Sequence, residues 1–416
     1  MIISPKTPDA IRKNNFKFVL IDAIGVSISN VAAPFLPVFL TRMGATNFQV
    51  GLLSTMPGIT GLLLAMFVGR FLQKQKNIIP WYGVSRLLVI SSYAVTGLIT
   101  LFAPNKFVIL GTLIIWALAS IPQIALSIAF SVVMNEVAGP EGRYQLLSRR
   151  WAVFGITSVI FTFFITRIIN LIAFPMNYGF MFLGLSLGGL LSYTFSRKII
   201  IPNQEVQAEE VKQPIRERIK QTYDTIASSP LFVTFSLKRF VYLSAIAMSG
   251  PILPLYFVNV VRASDKQIGT INMMMTLVML LGYVLWPKIS AKKGGRFVLL
   301  MTTAGMITYP FLTALTTNVN LIYGFAIIAG LFQSGLDLVF FDELMKTVPL
   351  KYSAIFVSVA QGMQYLSTMV APLAGTFIAD QYSLSTALLV SAMIRLLGFI
   401  LFAIPNQRSR FSRSVA

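Results

Sequence analysis

Pro34-Phe-Leu-Pro37, followed by Gln49-Val-Gly51, is written a second time as Pro251-Ile-Leu-Pro254 followed by Gln267-Ile-Gly269, with one extra residue between the parts. Each copy closes one long apolar stretch and opens the next. Stretches of about 20 apolar residues, the length that crosses a bilayer, occur near 16–40, 47–70, 79–102, 107–135, 150–170 and 176–196, and again near 231–260, 267–287, 297–316, 319–345, 353–379 and 384–404. Twelve spans result, six in an N-terminal half (1–196) and six in a C-terminal half (231–416), joined by a polar linker (197–230). Backbone groups in hydrocarbon must be hydrogen-bonded internally, and these runs are longer than the strands of a membrane barrel, so the spans are expected to be helices. The expected fold is an all-α polytopic membrane protein: twelve transmembrane helices in two pseudo-symmetric six-helix bundles.

Composition points the same way. Hydrophobic residues make up 56% of the chain and charged residues 12%, and the mean hydropathy is +0.75, far from a soluble domain. The net charge of +20 raises nucleic acid as a partner, and its distribution argues against one. With the N-terminus placed inside, inside segments hold 27 of the 34 Lys and Arg, while outside loops hold five: Arg42, Lys106, Arg167, Arg262 and Lys266. The positive-inside rule accounts for that excess, and no basic patch with interleaved aromatics remains for nucleic acid. An even number of spans returns Arg408, Arg410 and Arg413 to the cytoplasm, so both termini are expected there. The first apolar run is too long for a cleaved signal and reads as the first span. The expected location is the plasma (inner) membrane of a prokaryote, with lipid as solvent and the chain a monomer.

Zero Cys and zero His exclude disulfides and thiolate or imidazole metal sites, and leave carboxylates as the only ordinary proton carriers. No cofactor and no metal are expected. A membrane enzyme would need a catalytic cluster, and only isolated carboxylates remain, so no enzyme is expected either. In the linker, Ile215, Ile219 and Ile226 share one face of a helix begun by Pro214, with Arg216, Arg218 and Lys220 around it; this segment reads as lying along the inner membrane surface, as a tether or as a regulatory element.

Two related membrane halves are the layout of secondary transporters, with the solute site between them near the midplane. The loop after the second span reads Gly69-Arg70-Phe71-Leu72-Gln73-Lys74-Gln75-Lys76, and the loop after the eighth reads Pro287-Lys-Ile-Ser-Ala-Lys292-Lys-Gly294-Gly-Arg296. With the doubled Pro-x-x-Pro…Gln-x-Gly boundary and the six-plus-six division, the chain resembles the major facilitator superfamily over nearly its whole length. That resemblance implies the superfamily's fold and transport by alternating access. It also implies that Gly69, Lys74, Gly294 and Arg296 belong to the gating loops, although both copies lack the acid of the family motif; Gln73 stands in its place in the first. The arginine of the fourth helix and the Gly-Pro signature of the fifth, which mark the family's proton-coupled drug antiporters, are also missing: no Arg is near Gln123, and the fifth span reads Trp151-Ala-Val-Phe-Gly155. Ala371-Pro372-Leu373-Ala374-Gly375 resembles the family's packing turns, a kink with close helix contact.

Periodicity locates a candidate site. Gln123, Ser127, Ser131 and Asn135 recur at i+4 along the fourth span and form one polar stripe. The tenth span repeats its beginning, with Gln333 and Asp337 each 210 residues after Gln123 and Ser127. The family places helices one, four, seven and ten around the central cavity, so both stripes are expected to face the transport path. Ser29 on the first span lies on a similar face with Asp22 and Gly25, and Asn272, Gln361 and Gln364 are further candidates for solute contact.

A charge at the centre of a span costs at least about 2.5–3.5 kcal/mol on insertion scales and tends to be paired or functional. Asp22 and Arg86 share a depth of about 10 Å, and Asp337 and Arg395 a depth of roughly 13 Å, at 1.5 Å per residue. Two ion pairs are therefore expected, Asp22–Arg86 and Asp337–Arg395, as fixed braces or as pairs that a proton or an anionic solute breaks. At the inner rim, Asn135-Glu136 and Asp342-Glu343, followed by Arg143, Arg149, Arg150 and by Lys346, Lys351, read either as a gate closed by salt bridges or as ordinary charged helix ends. The function expected is a secondary active transporter or facilitator for a small, amphipathic organic solute, with proton-coupled efflux as one mode. A lysolipid or lipid carrier of the same fold and a non-transporting membrane sensor are the alternatives.

Overall fold

The computed structural model describes residues 9–201, 224–348 and 353–404, with the backbone alone described at 9–10, 73, 139–145 and 353–355. The linker positions Pro214 to Lys220, Lys351 and the C-terminal arginines lie outside the described residues. The helices, in chain order, are α1 (Asp9–Asn30), α2 (Phe35–Arg42), α3 (Asn47–Gln73), α4 (Ile79–Phe102), α5 (Asn105–Ile168), α6 (Met176–Ser196), α7 (Pro230–Asn259), α8 (Asp265–Lys293), α9 (Gly295–Gly305), α10 (Thr308–Ala314), α11 (Val319–Thr347), α12 (Ser353–Gln381) and α13 (Leu384–Ala403). Among the described residues, eleven stretches are long and apolar enough to cross a membrane. The stretch missing from the expected twelve is α12; it is 29 residues long, and its serines, threonines and glutamines dilute its apolar character. The fourth and fifth spans, Asn105–Ala138 and Leu146–Leu171, both begin within α5, and the ninth, Gly295–Ala314, is built from α9 and α10.

The chain forms two compact units. One is drawn from 1–45, 60–208 and 264–273, the other from 46–59, 209–263 and 274–416. Each therefore takes the opening turns of one helix from the opposite half of the sequence: the start of α8 belongs with the first unit and the start of α3 with the second.

The doubled motif explains how those two helix starts are held. Thr46 and Gln49 form a capping box before α3: the Thr46 N–H donates to Gln49 Oε1 at 2.9 Å and the Gln49 N–H to Thr46 Oγ1 at 3.2 Å. Ser264 and Gln267 do the same before α8, at 2.8 and 3.3 Å. Each box satisfies two amide donors that a helix start leaves without an intrahelical partner. The glycine two residues later removes a side chain where a neighbour comes close. A Cβ at Gly51 would lie 2.9 Å from Thr376 of α12, and one at Gly269 would lie 3.0 Å from the Phe35 ring of α2. Polar ties flank both contacts. Arg42 Nε donates to Asp265 Oδ1 at 2.5 Å in the first unit, and Asn47 Nδ2 to Asp380 Oδ1 at 2.7 Å in the second.

The two Pro-x-x-Pro copies differ in outcome. Before Pro34, α1 stops at Asn30, and the connection is tightened by i→i−3 bonds from Ala32, Ala33, Phe35 and Leu36, which re-use carbonyls near the missing proline N–H. Pro251 and Pro254 sit inside an unbroken α7. Elsewhere small residues set the helix spacing, as expected where lipid removes the hydrophobic drive between helices. A Cβ at Gly188 of α6 would be 2.6 Å from the Gly25 carbonyl of α1, and one at Gly375 of α12 would be 2.8 Å from Met248 of α7. The second unit adds a buried aromatic core of Tyr242, Trp286, Phe340, Phe356 and Phe402, against which Ile226 of the linker end packs.

Candidate functional site

In the first unit the stripe of α5 is uncovered. Gln123, Ser127, Ser131 and Asn135 are all exposed, whereas Ala129 and Val133 on the opposite side are buried, as are Ile124 and Met134. In the second unit the corresponding residues form a local cluster on α11. Asp337 is exposed; its Oδ1 accepts from Gln333 Nε2 at 2.7 Å and its Oδ2 from the Tyr283 hydroxyl of α8 at 3.0 Å. The i+4 spacing lets Gln333 reach back along its own helix, and Tyr283 fixes the carboxylate from the side.

The other solute-contact candidates sort differently. Ser29 is buried, and its hydroxyl donates to the Leu185 carbonyl of α6 at 3.0 Å and to the Gly25 carbonyl. It is a correction to the expected lining: the Gly25–Ser29 face is consumed by packing on α6. Asn272 is half-buried and bonds the Ile268 carbonyl at 3.0 Å. Gln361 is exposed and hydrogen-bonded to Tyr365. Gln364 Oε1 accepts from Arg239 of α7 at 3.0 Å.

Asp22 and Arg86 meet. Asp22 is 0% exposed; its Oδ2 accepts from Arg86 Nη2 at 3.1 Å and from the Tyr82 hydroxyl at 3.3 Å, and its Oδ1 accepts from Ser192 at 2.5 Å. Arg86 also bonds the Tyr82 hydroxyl directly. Arg150, expected at the rim, is instead buried at 4% exposure, 3.9 Å from the same Asp22 oxygen, with its guanidinium over the Phe130 ring.

The expected Asp337–Arg395 pair is not formed. Arg395, 2% exposed, donates to the Met306 carbonyl at 2.7 Å and to Ser249 Oγ at 2.6 Å. It points from α13 toward α7 and the end of α9, while Asp337 points toward α8. Equal depth placed the two charges at one level but said nothing of the rotation of either helix.

Two charges escaped the sequence reading. Arg239 lies nine residues into α7, about 13 Å from its start, half-buried, with its guanidinium 6.0 Å from the Phe340 ring centre and its Nε without a hydrogen-bond partner. Its neighbour Lys238 made it look like a helix-end charge. The register of the repeat could have exposed it, because Arg239 follows Asp22 by the same 217 residues that separate Pro251 from Pro34. Asp265, which nothing in the sequence pattern singled out, is the buried partner of Arg42.

At the rims, Lys346 bridges Asp342 at 2.7 Å and Glu343 at 2.8 Å within the last turn of α11. That cluster abuts the α8–α9 junction, where a side chain at Gly295 would come 2.5 Å from Glu343 Oε1. Gly294 holds φ +84°, a left-handed conformation that favours glycine, and Arg296 donates to the Ala403 carbonyl at 3.3 Å. Asn135 and Glu136 are exposed. Lys74 is exposed at the end of α3, and a Cβ at Gly69 would find only Ile128 at 3.9 Å, so steric need does not explain that glycine. The side chains of Gln73 and Arg143 lie outside the described residues.

The model of the Major Facilitator Superfamily matches residues 235–414. No curated protein matches the sequence. Among solved structures, a point mutant of the nucleoside transporter NupG is similar with TM-score 0.68 and 12% identity, over 94% of this chain and 99% of that one. A bacterial homologue of the human lysosomal transporter Spinster, inward-facing and unoccupied, is similar with TM-score 0.64 and 12% identity, over 96% of each chain. At 12% identity these two likenesses establish the fold alone.

Proposed function

We propose that this chain, a membrane transporter with the major facilitator fold, carries a small, amphipathic organic solute by exposing one site alternately to the two faces of the membrane. The observation that carries this reading is the uncovered polar stripe in each unit. Gln123, Ser127 and Ser131 on α5 and Asp337 on α11 leave an amide, hydroxyls and one carboxylate exposed at span depth, with Gln333 half-buried beside Asp337. Polar groups in a span are expensive unless they face protein or water, and two such faces at corresponding positions of a repeat suit a path for solute. Amides and hydroxyls among Phe and Met fit an amphipathic molecule better than a strong anion. NupG carries nucleosides by its description, and a nucleoside is one solute of this kind.

Efflux coupled to protons is the mode we favour, with Asp337 as the proton carrier because no histidine exists in the chain and its carboxylate is exposed within the span. Both termini are placed in the cytoplasm of a prokaryotic cell, and the chain acts as a monomer. The test is counterflow in proteoliposomes, using pooled labelled nucleosides, dipeptides and amphipathic drugs with and without a pH gradient. Protein-dependent flux that falls at least about tenfold in Gln123→Ala and Gln333→Ala is expected. Absence of flux for every pool, in a protein that remains folded, overturns the reading.

A further inference from the structure

Arg239 and Asp337 are two opposite charges of one unit that do not pair with each other or with any other charge among the described residues. Both lie at similar depth, about 13 and 15 Å along their helices from the nearer end. Each is held by neutral groups: Arg239 by Gln364, Asp337 by Gln333 and Tyr283. Each keeps unused capacity, since Arg239 Nε has no partner and the Asp337 carboxylate is exposed. Phe340 links the two: its ring centre is 6.0 Å from the Arg239 guanidinium carbon, and Asp337 lies three residues before it, a neighbour on the surface of α11.

An unpaired charge at this depth is costly. That cost is met by pairing, as at Asp22 and Arg86, or by burial against carbonyls and hydroxyls, as at Arg395, although the Nε of Arg86 and of Arg395 is left without a partner as that of Arg239 is. Arg239 and Asp337 have neither a charged partner nor full burial: Arg239 is half-buried and Asp337 exposed. A ligand carrying both complementary charges completes both at once.

The geometry points to a zwitterionic solute, whose anionic end pairs with Arg239 and Gln364 and whose cationic end pairs with Asp337. This rests on the reading of the α11 face as solute-facing and narrows its substrate class. A short unblocked peptide and a zwitterionic lysophospholipid headgroup offer the same chemistry.

The experiment is binding to the purified full-length protein, measured by ligand-dependent thermal shift. The probes are dialanine, its N-acetyl derivative, its C-terminal amide, lysophosphatidylethanolamine, lysophosphatidylglycerol and uridine. A peptide source makes dialanine at least about tenfold tighter than either blocked form, because each block leaves one of the two protein charges without its counter-charge. A lipid source makes the ethanolamine lysolipid at least about tenfold tighter than the glycerol one. In either case D337N abolishes discrimination against loss of the ammonium, R239Q abolishes discrimination against loss of the anionic end, and R239K, which keeps the charge, retains it. Equal binding of singly charged and zwitterionic probes overturns the inference, as does an equal loss of every probe in R239Q and R239K. If uridine binds better than the zwitterions and is lost in Gln333→Ala, the inference falls and the solute-facing reading stands. If no probe binds, both fall.

Discussion

Asp22 Oδ2 accepts a hydrogen bond from Arg86 Nη2 at 3.1 Å and at the same time stands 3.9 Å from Arg150 Nη2, so a single buried carboxylate serves two buried guanidinium groups. The cluster draws together α1, α4, α5 and α6, because Ser192 of α6 donates to the other carboxylate oxygen. Removing the carboxylate charge leaves two like charges facing each other in a site that excludes water. Asp22→Asn is expected to destabilise by about 3–5 kcal/mol and Arg86→Gln by a similar amount. The double variant should lose clearly less than the sum. Thermal unfolding in detergent checks this, and strict additivity would remove the brace.

Arg395 behaves differently, because it is satisfied by the Met306 carbonyl and Ser249 rather than by a carboxylate. A double-mutant cycle between Arg395→Gln and Ser249→Ala should therefore show coupling of about 0.5–3 kcal/mol, whereas the cycle between Arg395→Gln and Asp337→Asn should be additive within about 0.5 kcal/mol. Exchanging Asp337 and Arg395 should not rescue either single variant. Rescue by the exchange would mean that the two charges meet in another state of the protein.

The contrast between these arginines shows what sequence carries and what it does not. Position within a span sets depth, so Asp22 and Arg86 could be placed at one level, as could Asp337 and Arg395. Rotation about the helix axis decides whether equal depth becomes contact, and it depends on which glycines let neighbouring helices approach. Gly25 and Gly188 turn the Asp22 face of α1 onto α6, and the same packing hides Ser29. The helical spans and the repeat were legible because apolar run length and a doubled motif are local features. The capping boxes of Thr46–Gln49 and Ser264–Gln267 were present in that motif, but their partners in space, Asp380 and Arg42, are more than 200 residues away in sequence. Arg150 was placed at the rim and Arg239 was overlooked for one physical reason: each follows a basic neighbour, Arg149 or Lys238, and so has the sequence context of a solvated helix end.

The stripe residues should separate stability from transport. Gln123 and Ser127 are exposed, so Gln123→Ala and Ser127→Ala should shift stability by no more than about 0.5 kcal/mol. Solute binding should weaken about tenfold or more if they touch the solute. Unfolding midpoints and binding isotherms on the same preparations distinguish the two effects. Loss of stability comparable to the Asp22 variants would make the stripe a packing surface.

The ties at the two capping boxes make the last prediction, and the absence of cysteine from the chain makes it clean to test. Asn47 of α3 holds Asp380 of α12 at 2.7 Å, and Arg42 of α2 holds Asp265 of α8 at 2.5 Å. Each tie joins a helix of the first six spans to one of the last six. If transport rocks those six-span halves against one another, both ties must open once per cycle. Asn47→Cys/Asp380→Cys, bridged by a short bifunctional thiol reagent, is expected to stop counterflow while leaving the thermal midpoint unchanged or higher, and cleavage of the bridge should restore flux. Arg42→Cys/Asp265→Cys should behave alike. Each single-cysteine variant treated with the same reagent should keep its flux, which separates the bridge from the modification. Full flux through a bridged protein would place the moving elements elsewhere than at these two helix starts, because a fixed distance there would then be compatible with the whole cycle.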